Sequence, residues 1–392
     1  MIRHARSDAG ARTPDQRAGL RIASLFSGVG GFELGLENVG HKAHFLCELD
    51  PVAETVLKQR FPGTQLISDV SKVGSLPSET DLVCAGFPCQ NLSMAGDKQG
   101  INGPKSNLVD HVFRLFDVQP VPWVLLENVY FMLHLGKGQA MEHVVGNLER
   151  RRMRWAYRVL NTRGFGLPQR RRRVFLIASR DLDPREVILS DDKVAQNEPA
   201  AINLALPVGF YWTEGRSGVG LTSDGIPPLK SGSALGIPSA PAVLFPDGSV
   251  ETPTIQEAER LQGFPADWTA AAENINGRLR WRLLGNAVSV PVAEWIGRKL
   301  AHPRPYDSSA DERMRTGDPW PSAAWGDENG RFRSKASEDP LGTKSSLSSF
   351  ALRPWRPLSQ KALKGFVSRA ESSRLRYPPG FLDALRRCLS RA

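Results

Sequence analysis

The apolar positions of the first 180 residues fall into short, nearly continuous runs separated by stretches of helical spacing. Runs at 21–26, 43–47, 65–67, 81–85 and 123–126 are too short for helices and read as strands buried on both faces. Between them, 32–38 and 51–59 predict helices. The first ends at Gly40, and the second opens on Pro51, which a helix tolerates in its first turn. A further strand is expected at 174–178. Strands alternating with helices predict an α/β fold whose parallel sheet is covered on both faces. After Arg180 the periodicity fades through Ser217-Gly218 and Pro227-Pro228 to Pro253, which predicts a smaller, loop-rich second domain over 181–278. A short helix is expected at 257–262, closed by Gly263-Phe264-Pro265. An apolar helix follows Gly285-Asn286-Ala287-Val288 and should return to the first domain, so that 279–302 completes 21–180.

Composition changes this picture at the two ends. The 392 residues are 41% hydrophobic and 23% charged, ordinary for a globular chain with ample material for a core. The first twenty residues are polar, hold four arginines and lack a secretory signal's apolar core, so 1–20 is expected to be a disordered leader or to follow a start set too early. From Pro303 the chain turns to Pro, Ser and Arg, with 17 basic against 10 acidic residues. That composition predicts a semi-ordered basic extension over 303–392, with one amphipathic helix at 381–387. No apolar run is long enough for a membrane span. Four cysteines (Cys47, Cys84, Cys89, Cys388) form neither a CxxC pair nor a disulfide framework, and the histidines show no zinc spacing.

The net charge of +10 is unevenly placed: ten arginines and no acid lie between Arg150 and Arg173. Such a cluster suits a polyanion, and nucleic acid is the usual one. Two loops carry candidate chemistry. After the first strand, Ser27-Gly28-Val29-Gly30-Gly31 departs from GxGxxG, since Glu33 takes the place of the third glycine and glycine returns at Gly35. Glu48 and Asp69 end the next two strands, where carboxylates can accept from ribose hydroxyls and an adenine amino group. The loop therefore suits an adenosine ligand without demanding a pyrophosphate. Gly86-Phe87-Pro88-Cys89-Gln90 follows the fourth strand and presents a thiol from a stiff backbone at a sheet's ligand-binding end. Cys89 reads as a nucleophile or as a buried small hydrophobe.

Six segments in order resemble the DNA (cytosine-5)-methyltransferase family. They are Phe26-Ser27-Gly28-Val29-Gly30-Gly31, Gly86-Phe87-Pro88-Cys89-Gln90, Glu127-Asn128-Val129, Gln169-Arg170-Arg171-Arg172-Arg173, Arg260-Leu261-Gln262-Gly263-Phe264-Pro265 and Gly285-Asn286. The resemblance implies a Rossmann-like methyltransferase sheet with a target-recognition domain, S-adenosylmethionine as cofactor, and methylation of a flipped-out cytosine in a specific duplex DNA sequence. It implies Cys89 as the nucleophile on C6, Glu127 at cytosine N3, and Arg171 with Arg173 holding the base and the nucleophile loop. For the cofactor it implies Phe26, Gly28, Gly30, Gly31, Glu48, Leu49, Asp69, Val70, Pro88, Leu108, Asn286 and Val288. Gln90, Ser93, Arg170 and Arg172 are the implied DNA contacts. Ser24 departs from a frequent Asp, and Leu49 from an aromatic that stacks on adenine. By the same resemblance the enzyme is a cytoplasmic monomer of bacterial or phage restriction–modification or defence type, with a cognate endonuclease or defence subunit left open. Three other readings stand beside it: a tRNA methyltransferase, whose Cys-Phe-Thr signature is missing; a catalytically silent DNA-binding relative; and a nicotinamide oxidoreductase.

Overall fold

The computed structural model describes residues 19–88, 108–191, 202–216, 218–232, 240–343 and 345–390, with the side chains of 274–278 left aside. The expected strands and helices of the first half form, in order, β1 (Arg21–Leu25), α1 (Gly31–Glu37), β2 (Lys42–Cys47), α2 (Pro51–Arg60), β3 (Gln65–Ile67) and β4 (Leu82–Gly86). Then come α3 (Leu108–Val118), β5 (Trp123–Val129), α4 (Gln139–Arg150), β6 (Arg154–Asn161), β7 (Arg172–Ser179) and α5 (Arg185–Ile188). Strands β3-β2-β1-β4-β5 run parallel. Successive residues face opposite ways along a strand. Accordingly Ala23, Leu25, Val83 and Ala85 join the core under α3 and α4, while Ile22, Leu82 and Cys84 join the core under α1.

The sheet is mixed rather than wholly parallel. β7 is antiparallel to β5, and β6 is antiparallel to β7. Strand β6 went unread because its sequence, Arg154-Trp155-Ala156-Tyr157-Arg158-Val159-Leu160-Asn161, looks like part of a solvated basic cluster. In the fold Trp155, Tyr157 and Val159 fill one core, and Arg158 is fully buried with its guanidinium on the Ser337 and Ile188 carbonyls. Arg151 pairs with Asp117 and Arg172 with Glu338. Much of the cluster is thus committed inside the protein and does not present a phosphate-binding stripe.

A second, five-stranded antiparallel sheet contains β8 (Val208–Phe210), β9 (Thr222–Ser223), β10 (Ala242–Leu244) and β11 (Val250–Thr252). The chain returns through α6 (Ile255–Arg260), α7 (Glu273–Asn286) and α8 (Val290–Ala301). Helix α8 lies against α1 so closely that a Cβ on Gly35 would stand 2.6 Å from the Ala293 Cβ. The displaced glycine of the loop motif therefore serves helix–helix contact.

The stretch after Pro303 is not a semi-ordered extension. It supplies β12 (Glu312–Arg313), β13 (Ala323–Asp327) and β14 (Gly330–Arg333), which extend the first sheet beyond β6. Past α9 (Leu347–Phe350), β15 (Arg356–Pro357) pairs with β11, and α10 (Gln360–Glu371) and α11 (Phe381–Ser390) cover the second sheet. Leu363, Phe366, Val367, Phe381 and Leu385 share one core with Val208, Phe210 and Leu244. Bulk composition hid this because the apolar side chains are few, well spaced and often aromatic. The second domain therefore extends beyond 181–278 into the chain's last forty residues. No helix among the described residues is long and apolar enough to cross a membrane.

Candidate active site

The C-terminal ends of β1, β2, β3, β4 and β5 open on one cavity of about 650 Å³. At the end of β1, Phe26 adopts φ 58°, a strained conformation for a bulky residue, and Gly28 follows at the same φ. Strain of this kind clusters at ligand clamps, and both residues line the cavity. Glu48 fixes the loop: its Oε2 accepts from the Gly28 N–H at 2.7 Å and its Oε1 from the Asp50 N–H at 2.8 Å. Burial raises the Glu48 pKa, opposed by these backbone donors. Asp69 accepts from the Ser71 N–H at 2.9 Å, and bonding to Ser71 lowers its pKa.

Glu48, Leu49, Asp69, Val70, Pro88, Leu108 and Asn286 are brought together in the lining of this cavity. Leu49 is 71% exposed at its rim and offers an apolar surface where an aromatic ring was missed. Gly30, Gly31 and Val288 stand behind the wall instead. A Cβ on Gly30 would meet the Phe61 ring at 2.5 Å, and one on Gly31 the Val288 carbonyl oxygen at 2.4 Å. These positions let the loop approach α2 and the start of α8, and none of the three is among the described residues that line this cavity. The sequence did not point to Arg282, Leu283, Ser231 and Gly232, which close the far wall. They come from segments distant in the chain and carry no local pattern.

The same cavity reaches Glu127 at the end of β5. The Glu127 carboxylate lies 3.2 Å from the Arg173 guanidinium. Burial raises its pKa, and the charges of Arg173 and then Arg171 oppose that rise. Asn128 donates to the Phe87 carbonyl at 3.0 Å, so the strand end before Cys89 is tied to the Glu127 strand. Cys89, Gln90 and Ser93 lie outside the described residues. Pro88 and Leu108, where the described chain stops and resumes, both stand in the cavity wall.

Two of the expected arginine roles are corrected. Arg171 is 1% exposed and is not among the residues lining this cavity; it donates to the carbonyls of Leu229, Gly285 and Ala287 at 2.8–3.2 Å. Its place is to hold the crossing between the domains. Arg172 pairs with Glu338 and lies 3.7 Å over the Tyr130 ring, so its charge is already neutralised. Arg170 is exposed and lines an open groove with Tyr130, Phe131, Thr222, Pro227 and Pro228. Two motif glutamines prove structural as well: Gln169 donates to the Leu261 carbonyl and accepts from the Leu229 N–H, while Gln262 donates to the Leu284 carbonyl.

A sheet whose strand ends hold a strained glycine loop, two carboxylates and a buried acid–arginine pair around one cavity has the form of an open α/β fold with a ligand site at its strand ends. The cavity is large enough for an adenosine ligand, and the carboxylates retain lone pairs for its hydroxyl and amino groups. The family model for the C-5 cytosine-specific DNA methylase matches residues 20–209 and 251–302, and the chain belongs to that family. It is 44% identical over 386 residues to Type II methyltransferase M2.BsuMI of Bacillus subtilis, covering 95% of this chain and 99% of the relative. Type II methyltransferase M.MspI of Moraxella is 26% identical over 305 residues, covering 72% and 70%. The S. pombe Dnmt2 methyltransferase structure shares the fold, with a TM-score of 0.54 at 19% identity over 72% of this chain and 98% of that one. The protein is thus a DNA (cytosine-5)-methyltransferase that uses S-adenosylmethionine.

Proposed function

We propose that the enzyme methylates one cytosine within a specific sequence of double-stranded DNA, with Cys89 as nucleophile and Glu127 and Arg173 as the groups that hold and activate the base. The observation that carries this assignment is the single cavity joining the adenosine-type wall (Glu48, Leu49, Asp69) to the Glu127–Arg173 pair. Reaction at C5 and C6 of cytosine requires the base to leave the duplex stack, and the Glu127–Arg173 pair in the cavity wall is where a flipped base would be held. The Cys89 thiolate adds to C6, which makes C5 nucleophilic and splits one hard step into easier ones. Glu127, biased by burial toward its protonated form, hydrogen-bonds N3 and offsets the charge that develops on the ring. Arg173 fixes the Glu127 carboxyl and faces the same base. When bound, S-adenosylmethionine supplies an electrophilic methyl group for C5. Loss of the C5 proton then lets the C6–sulfur bond break and frees Cys89.

The second sheet, with α10 and α11 behind it, is the reader of the target sequence in this account. Phosphate contacts through Arg170 would position the duplex without conveying sequence. In this account the enzyme acts as a monomer. Relatives named Type II methyltransferases support a place beside a restriction endonuclease of the same target, in the cytoplasm. Bisulfite sequencing of DNA from cells expressing the wild-type chain, beside a Cys89→Ser control, tests the reading. Protection confined to one short motif and lost in the control is expected. Full conversion despite good expression would overturn it.

A further inference from the structure

The two carboxylates at the end of β2 do not act alone. Asp50 caps α2, its Oδ1 accepting from the Val52 N–H at 2.9 Å, and its own N–H donates to Glu48 Oε1 at 2.8 Å. Its second carboxyl oxygen, Oδ2, accepts from the guanidinium of Arg282. Arg282 belongs to α7, and with Leu283 and Asn286 of the same helix it lines the cofactor cavity from the opposite side. A continuous chain of hydrogen bonds therefore runs from α7 through Asp50 and Glu48 to the amide of Gly28. The turn that follows Arg282 is itself fixed, because the carbonyls of Gly285 and Ala287 accept from buried Arg171. A Cβ on Gly285 would stand 2.3 Å from the Lys230 carbonyl carbon, which leaves that turn no room to slide.

We infer that Arg282 is a positioning residue for the cofactor: its clasp on Asp50 closes the cavity across Leu49 and aims the Glu48 carboxylate at the ribose. The inference rests on the assignment of Glu48 to the ribose hydroxyls. As an isolated, partly exposed ion pair the clasp would stabilise the fold little. Its effect lies in geometry, since the Asp50 backbone N–H that steers Glu48 moves with the Asp50 side chain.

The experiment measures S-adenosylhomocysteine binding by calorimetry to the full-length protein, in parallel with its 2′,3′-dideoxyribose analogue. Arg282→Ala is expected to weaken S-adenosylhomocysteine about tenfold, equivalent to about 1.4 kcal/mol, while Arg282→Lys recovers most of the loss. Asp50→Asn, which keeps an α2 cap, should match Arg282→Ala, and the double variant should be no worse than either. The Arg282→Ala loss should shrink to less than twofold for the 2′,3′-dideoxy analogue, and the DNA KM should stay within twofold of wild type. An equal loss for both ligands, or additive effects of the two substitutions, would overturn the clasp. Glu48→Gln is the separate control. If it leaves S-adenosylhomocysteine binding unchanged, the ribose assignment itself fails; if it weakens binding while Arg282→Ala does not, only the clasp fails.

Discussion

Glu33 offers the most quantitative test of how this fold handles charge. It sits on α1 directly after the glycine loop and is wholly buried. Burial pushes its pKa from the ordinary 4.5 up to about 7, opposed in part by the hydroxyls of Ser24 and Ser27. A carboxylate in place of Ser24 would confront Glu33 in the same dry space. The folded state therefore keeps a proton that the unfolded chain releases above pH 4.5. Below that value the group is neutral in both states and contributes nothing. As pH rises to about 7 the folded state loses stability, and beyond that the penalty is constant. The interval of ~2.5 units, at about 1.4 kcal/mol each, gives a penalty of about 3 kcal/mol at its plateau. Glu33→Gln removes the ionisation while keeping the shape. Its stability relative to wild type, from urea midpoints between pH 5 and 8, should climb with pH and level off near 7. Infrared spectra at pH 6 should show a protonated carboxyl stretch that the variant lacks. A stability difference that is flat across this range, or no such band, would refute the reasoning.

Three further outcomes follow from the site and the packing. Glu127→Gln should lower kcat by about 100-fold or more while leaving S-adenosylhomocysteine affinity within twofold, because the group acts on the base; calorimetry and single-turnover methylation separate the two. Arg171→Ala should lower stability by more than about 3 kcal/mol, since it strips the donors from three interdomain carbonyls; denaturant melts measure this. Deleting the chain after β15 should expose Phe210, Val208 and Leu244, and dye binding and light scattering should report exposed apolar surface and aggregation.

The parallel half of the sheet was legible because β1, β2, β4 and β5 each pack on both faces and so read as unbroken apolar runs. Glu48, Asp69 and Glu127 were legible for a related reason: an open α/β sheet binds ligands at strand ends, and those ends can be counted along the chain. Local pattern thus marked the parallel strands of the first sheet, the order of the motifs and the strand ends that surround the cavity. It could not assign the arginines, because charge is a property of the residue while its partner is a property of the fold. Arg158, Arg171 and Arg172 belong to one basic run, yet a buried strand, the interdomain crossing and Glu338 claim one each. Nor could it show that the last forty residues complete the second domain, since Phe366 and Phe381 find Phe210 only after the chain has crossed both sheets. Arg282 meets Asp50 across 232 residues for the same reason. Local pattern records which surfaces must be buried. What they are buried against, and which charge meets which, is decided only when distant segments are brought together.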